Sequence, residues 1–524
     1  MIKIVKLIFF ITACVFLTSS LDYQDYIHEV EQETAEVWLP PTDDIIHLRE
    51  RIDNIISSYD SFEYDYGLRI ISLEVPQVFY EYQIDKPFMP ASNMKIITTA
   101  AAFDLLGRDF AWVTEFYRDE QDNIYLKASG DPTINRHSDI NHFFKSITDS
   151  LKIRGIRVIQ GDLIIEPSGF NDSGIGYGWK EENSHFTYSA KPSALPFFEN
   201  TIQIKISPSN IERRPYISLY PAHVGFEIVN DMTTVGNNRG GLWFEMDPYS
   251  NRITFHGSIW LRSKPQYRTL AVQKPELYAL EVIREKFREN QITIEGNIYY
   301  NTLPEQENNI ETLEKLFQIE TPKFIEVVNE INKRSNNFMA NQLFMTIGER
   351  FESSNQAEDV IKNWLRANNI SPDSLKMYDG SGLSIYNQST ANILSSTLRF
   401  MYNSDWSEDF MNSMAVSGRD GTLRNSFQND KLRHKVFGKT GFIIGARALS
   451  GFIRTQDDEM LAFSIIINKE GSRIRNFNQI IERVLIELAT FEREKLEFTE
   501  NYFLLDEIEI IDNDSLRIDT QILH

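Results

Sequence analysis

The 239 residues between Lys95 and Ser335 constrain the fold of this 524-residue chain more than any other feature. Both ends of that interval lie in short polar motifs: Ser92-Asn93-Met94-Lys95 before it and Ser335-Asn336-Asn337 after it. A third motif, Lys439-Thr440-Gly441, follows further on. If the three act together they must meet in space, so the chain between the first two has to leave one domain and return to it. Structureless loops of that length are not found inside compact domains, so the interval is expected to be an insertion with a core of its own. Its short strand-like runs are separated by turn signals: 123–127, 157–159, 162–166, 202–206 and 252–255, with a helix over 275–291. The insertion therefore reads as β-rich.

The first motif carries the chemistry. Pro90 precedes a run of helix formers, Ile96 to Ala102, with an apolar face. Residues three apart share one side of a helix, so the Lys95 amine can reach the Ser92 hydroxyl. A serine is a weak nucleophile at neutral pH, and an adjacent amine of lowered pKa can activate it. Ser335-Asn336-Asn337 enters a helix-like pattern (Phe338, Leu343, Phe344, Ile347). Lys439-Thr440-Gly441 opens strands over 448–453 and 460–467, with Asp457-Asp458 at the hairpin turn.

The order S-x-x-K, S-x-N, K-T-G is the signature set of penicillin-binding proteins and serine β-lactamases. Further segments narrow the match: Ser129-Gly130-Asp131-Pro132, Gly161-Asp162-Leu163, Ser189-Ala190, Ser193-Ala194-Leu195, Asp379-Gly380-Ser381-Gly382-Leu383-Ser384 and Gly418-Arg419-Asp420-Gly421-Thr422-Leu423. With these, the chain resembles the class C low-molecular-mass penicillin-binding proteins, D-alanyl-D-alanine carboxypeptidases/endopeptidases of peptidase family S13, over nearly all of residues 45–490. The resemblance implies an α+β fold. A β-lactamase/transpeptidase-like domain, an antiparallel sheet flanked by helices, would be split by the β-rich insertion. The expected layout is a catalytic domain at 21–118 and 322–496, with two nested accessory domains at 119–321.

The resemblance also implies roles. Ser92 would attack the carbonyl of the penultimate D-alanine with Lys95 as base, although the identity of the base is disputed among relatives. Ser335 would relay a proton to the leaving amine, Asn337 would bind the substrate's backbone amide, and Lys439 would supply positive charge. Backbone N–H groups of Ser92 and Phe442 would form the oxyanion hole. Thr440, Gly441, Phe442, Asp379, Ser381, Tyr188 and Glu181 (or Glu182) are the expected substrate-binding residues. Two departures stand out. Phe442 replaces the Ser or Thr usual after K-T-G, removing a hydroxyl contact worth about 1 kcal/mol. Ile385 follows Asp-Gly-Ser-Gly-Leu-Ser where diaminopimelate-reading relatives carry arginine, which points to a changed preference at that peptide position.

The implied partners are peptidoglycan stem peptides as substrates and β-lactams as covalent inhibitors. A β-lactamase- or esterase-like hydrolase and a catalytically weakened peptidoglycan-binding scaffold are the alternatives. Balance between terminal D-alanine removal and cross-link cleavage, and oligomeric state, are not encoded in any motif. A net charge of −22 argues against nucleic acid and leaves at most a weak membrane association. Lys3, Lys6, the apolar run Leu7–Leu17 and Thr18-Ser19-Ser20 read as a signal peptide over 1–20, and place the protein outside the cytoplasm, in a bacterial periplasm. Lipidation at Cys14 is disfavoured because the apolar run continues past it. Cys14 is the only cysteine, so cleavage after Ser20 leaves no thiol or disulfide chemistry. No metal-binding or phosphate-loop motif occurs, and neither metal nor cofactor is expected. Residues 497–524 read as an acidic tail.

Overall fold

The computed structural model describes residues 38–493, apart from 60–63, 136, 171–175, 223–224, 239–240, 302–309, 352–356, 472–473 and 475. The expected signal peptide, Cys14 and the acidic tail lie outside the described residues.

Two distant parts of the chain build one sheet. Its strands are β1 (Asp65–Ser72), β2 (Val78–Tyr82), β3 (Ala415–Val416), β4 (Val436–Ile443), β5 (Ala446–Arg454) and β6 (Met460–Asn468), in the spatial order β3-β4-β5-β6-β1-β2. All neighbours are antiparallel. The β1–β6 ladder runs from Asp65↔Asn468 to Ser72↔Leu461 and stitches the N-terminal part to the C-terminal part. Side chains alternate across a strand, and both faces of β6 are buried: Met460, Ala462 and Ile466 on one, Leu461, Phe463, Ile465 and Ile467 on the other.

Helices cover both faces. Helix α1 (Asp43–Ser57) and the last helix (Phe477–Ala489) share the second core. Helices α2 (Met94–Leu106), α3 (Phe324–Arg334), α4 (Asn337–Arg350) and α5 (Ala391–Asn403) pack on the first. Every residue of α2 from Met94 to Phe103 is buried. A helix apolar on all sides has to sit inside a core, and this one is the hub around which the others are arranged. Phe103 meets Phe324 of α3 edge-on at 5.1 Å and Phe410 at 6.0 Å. The α+β fold with an antiparallel sheet flanked by helices is thus as expected.

The insertion is β-rich. Its five-stranded sheet has the order Ile298–Tyr300, Leu163–Glu166, Ile124–Lys127, Trp112–Arg118, Glu314–Thr321. Two three-stranded sheets come from the continuous stretch 201–271, nested in sequence between the segments of the larger sheet, and one apolar cluster runs through all of them. The helix expected over 275–291 is Pro275–Glu289. One boundary moves: Trp112–Arg118 pairs with the returning strand Glu314–Thr321, so the insertion starts before residue 119. Pairing between strands 200 residues apart leaves no trace in local sequence pattern.

Because α2 starts at the first motif and α3 ends at the second, their packing should govern the site. Phe103→Ala is expected to cost about 3–5 kcal/mol, read by urea denaturation. A loss below about 1 kcal/mol would show that α2 is not the hub.

Candidate active site

Ser92 sits in a single 3₁₀ turn, Ala91–Asn93, that leads into α2. Ala91 is held at φ +46°, a left-handed conformation costly for a residue with a Cβ. Two glycines let the surroundings close on this turn. A Cβ on Gly382 (φ +78°) would lie 1.8 Å from the Ala91 carbonyl oxygen, and one on Gly441 2.8 Å from that of Pro90. Beneath the turn, small residues of the sheet make room: Ala448, Ser450, Ala462 and Ser464 are all buried. With its amide oriented to satisfy both ends, Asn93 donates to the Lys439 carbonyl (2.7 Å) and accepts from Ser450 (2.7 Å), which bonds Ser464 (2.9 Å).

Lys95 is fully buried, one turn along. Its Nζ lies 3.0 Å from Ser92 Oγ, 2.8 Å from Asn337 Oδ1 and 2.5 Å from the Ser381 carbonyl oxygen. Burial pushes its pKa down to about 7, and the Asp379 carboxylate opposes that shift. As an ammonium it has one hydrogen for each of the three oxygens. As a neutral amine it has two hydrogens and a lone pair. The amide and peptide oxygens can only accept, so the lone pair is left for the Ser92 hydroxyl, which then donates.

Ser335 ends α3 in a left-handed conformation (φ +60°), and Asn336 caps α4 by accepting from Met339 N–H (3.0 Å). This sharp turn puts Ser335 and Asn337 beside each other at the cleft. Asn337 Nδ2 donates to the Tyr188 carbonyl (3.0 Å), which turns its Oδ1 toward Lys95. Lys439, also fully buried, donates to Ser335 Oγ (2.8 Å) and to the Thr440 carbonyl (2.9 Å). Burial first and the nearby Lys95 charge second hold its pKa well below the usual lysine range. β3 pairs only with Phe437 and Gly438, so from Lys439 onward that edge of β4 is open beside Ser92.

The structure brings Ser92, Lys95, Ser335, Asn337 and Lys439 together and separates the expected substrate contacts. Asp379 does not line the cleft. Its Oδ1 accepts from the backbone N–H of Ser381, Gly382 and Leu383 and from Asn387, and its Oδ2 from Ser384 N–H and Trp179 Nε1. That set uses up its lone pairs, so it is the keystone of its loop. Ser381 is buried and contributes its carbonyl rather than its hydroxyl, which bonds Asp379. Glu181 is exposed and hydrogen-bonds Tyr249 of the insertion. Tyr188 presents a ring 42% exposed, stacked on Phe186 at 5.2 Å. Thr440 bonds Thr422 (2.9 Å), and Phe442 is 54% exposed under the Arg447 guanidinium.

Several residues at the site carry no signal in a linear reading. Glu199, on three consecutive left-handed residues (Phe198–Asn200), accepts from Asn336 (3.0 Å). Trp179, Asn93 and Ser450 likewise act through partners far along the chain. Only Arg447 was accessible, since strand alternation and the β4–β5 turn set it opposite Phe442.

The model of the D-Ala-D-Ala carboxypeptidase 3 (S13) family matches residues 48–488. The chain belongs to this family. It is 26% identical over 446 residues to a D-alanyl-D-alanine carboxypeptidase of Actinomadura sp. (strain R39), covering 81% of each chain. To the carboxypeptidase DacB of Haemophilus influenzae it is 24% identical over 408 residues, 75% of this chain and 83% of that one. The crystal structure of penicillin-binding protein 4 (dacB) from H. influenzae superposes with a TM-score of 0.70 at 22% identity, over 82% of this chain and 98% of that one, which shows a shared fold. By family, the protein is a serine-type D-Ala-D-Ala carboxypeptidase.

If Lys95 controls Ser92, reactivity of Ser92 toward a fluorophosphonate should follow the neutral amine. With a pKa of about 7 the neutral fraction, and with it the labelling rate, should rise about tenfold from pH 6 to pH 8 and then level. A flat profile across that range would rule Lys95 out as the controlling group.

Proposed function

We propose that the protein is an exported peptidoglycan hydrolase that removes D-alanine from stem peptides through an acyl-enzyme on Ser92. The observation that carries this reading is the contact of the buried Lys95 amine with Ser92 Oγ, at 3.0 Å, in a network that also holds Asn337. Neutral Lys95 takes the Ser92 proton as Oγ attacks the carbonyl carbon of the penultimate D-alanine. Backbone N–H groups of Ser92 and Phe442 hold the resulting oxyanion. The C–N bond then breaks as the proton taken up by Lys95 passes through Ser335 to the leaving amine, which leaves Lys95 neutral, with Ser335 held against Lys439. Water attacks the ester, Lys95 again accepts the proton, and Ser92 is released. Asn337 binds the substrate's backbone amide. A carboxylate near Lys439 restores the ammonium that burial disfavours, so substrate itself charges the site.

The same acyl-enzyme serves cross-link cleavage when the leaving side is a second stem peptide. A β-lactam offers an equivalent carbonyl whose leaving group stays tethered. A solved structure of the H. influenzae penicillin-binding protein 4 is described as complexed with a β-lactam, which supports penicillin binding here. The signal-like sequence of residues 1–20 supports export to the periplasm. Ser92→Ala should abolish labelling by fluorescent penicillin and release of D-alanine from a D-Ala-D-Ala peptide, with the fold intact by circular dichroism. Fast penicillin turnover would favour a β-lactamase, and an unlabelled wild type a scaffold.

The third position of the stem peptide meets a rim without the expected arginine. Ile385 is exposed, and Tyr177, Tyr378 and Tyr386 pack together beside it with ring centroids 4.9, 5.0 and 6.2 Å apart. These four side chains offer apolar contact, cation–π attraction and phenolic hydroxyls but no positive charge to pair with a carboxylate. Turnover of lysyl-D-Ala-D-Ala is therefore expected to equal or exceed that of the diaminopimelyl peptide, and a strong diaminopimelate preference would overturn this.

A further inference from the structure

We propose that Arg447 reads the terminal carboxylate of the substrate, taking over the role of the hydroxyl that Phe442 displaced. This rests on the carboxypeptidase reading and names one specificity-determining residue within it.

Three observations converge on Arg447. Position comes first. Arg447 lies on β5 directly opposite Phe442 of β4, and cross-strand partners project from the same face of a sheet. Thr440, two residues before Phe442, shares that face by the alternation of the strand. The group therefore stands on the strand next to β4, on the face of the Thr440 hydroxyl rather than the face from which Lys439 meets Ser335.

Its setting is the second. The guanidinium carbon lies 3.9 Å from the centre of the Phe442 ring. Stacking on an aromatic face holds a guanidinium flat and leaves its N–H edges free for an in-plane partner. Phe442 thus becomes a platform that orients Arg447, which explains how a bulky ring is accommodated beside K-T-G.

The third is an unmet need. Arg447 Nε is buried without a hydrogen-bond partner, and among the described residues no carboxylate forms an ion pair with this guanidinium. In a protein with a net charge of −22, acidic partners are plentiful. A partly desolvated cation without one is unfavourable, and a carboxylate ligand relieves it through charge-assisted hydrogen bonds to the terminal N–H groups of the guanidinium. Lys439 alone serves this purpose poorly, because its amine is already committed to Ser335 Oγ and the Thr440 carbonyl and lacks the planar fork that matches a carboxylate. Arginine keeps its charge at any working pH.

The test compares diacetyl-L-lysyl-D-alanyl-D-alanine with its C-terminal carboxamide, using the full chain and a carboxylate-free fluorophosphonate as the measure of an intact Ser92. Wild type should prefer the free acid. Arg447→Gln should lower kcat/KM for the acid by about 10- to 100-fold while changing the amide by less than about threefold, with fluorophosphonate labelling unchanged. Arg447→Lys, which keeps the charge but not the fork, should fall in between on the acid alone, and it carries the comparison should the Gln variant fail to label. Equal losses on acid and amide, or an acid preference that survives in both variants, would overturn the assignment of Arg447. A wild type that labels but turns over neither peptide would overturn the carboxypeptidase reading itself.

Discussion

A lysine amine sealed from water sets the conditions for the rest of this molecule. Lys95 has to be satisfied by oxygens, and of the three it has one is local, Ser92 a turn away, and two come from remote stretches of chain: Ser381 near the middle of the second half and Asn337 at the start of α4. Removing an ammonium from water is expensive, so the neighbours have to be held rigidly where they are needed. Asp379 does part of this work from behind, tying its loop with a fan of backbone hydrogen bonds and lending Lys95 a compensating negative charge. The outcome is an amine poised between its two protonation states near neutral pH, which is the condition for moving a proton both to and from a serine.

The insertion is more than a passenger. Its segment 177–199 reaches back to the cleft at three points: Trp179 on Asp379, the Tyr188 carbonyl on Asn337, and Glu199 on Asn336. The first steadies the loop that supplies the Ser381 carbonyl, and the other two orient the Ser335-Asn336-Asn337 turn. The catalytic domain therefore relies on its insertion for the orientation of groups it carries itself. Left-handed conformations at Ser335 and Phe198–Asn200 lie next to two of these contacts, as expected where the surrounding structure over-determines a conformation.

Short-range patterns were legible where chemistry and local geometry coincide. The Ser92–Lys95 spacing on a helix, the strands that follow Lys439 and the hairpin turn near Asp458 all depend on residues within a few positions of one another. Asp379 and Ser381 mark the limit of such a reading: a motif reveals which polar groups are present, not whether their lone pairs are already engaged by their own loop. Glu181 was placed by adjacency to Trp179, yet it faces Tyr249, a partner reached only through the fold of the insertion.

Read by itself, the sequence pointed to the fold class, to the split of one domain by a long β-rich insertion, and to five polar residues that the fold brings together. The long interval and its strand-like periodicity pointed to the insertion, the Ser92–Lys95 spacing to an activated serine, and the family resemblance implied the fold class and the remaining three residues. Only the tertiary structure decided the depressed pKa of Lys95, the inclusion of Trp112–Arg118 in the insertion's sheet, and the lack of a hydrogen-bond partner for Arg447 Nε. Desolvation and the pairing of remote strands depend on everything packed around a group, and no local stretch of sequence contains that.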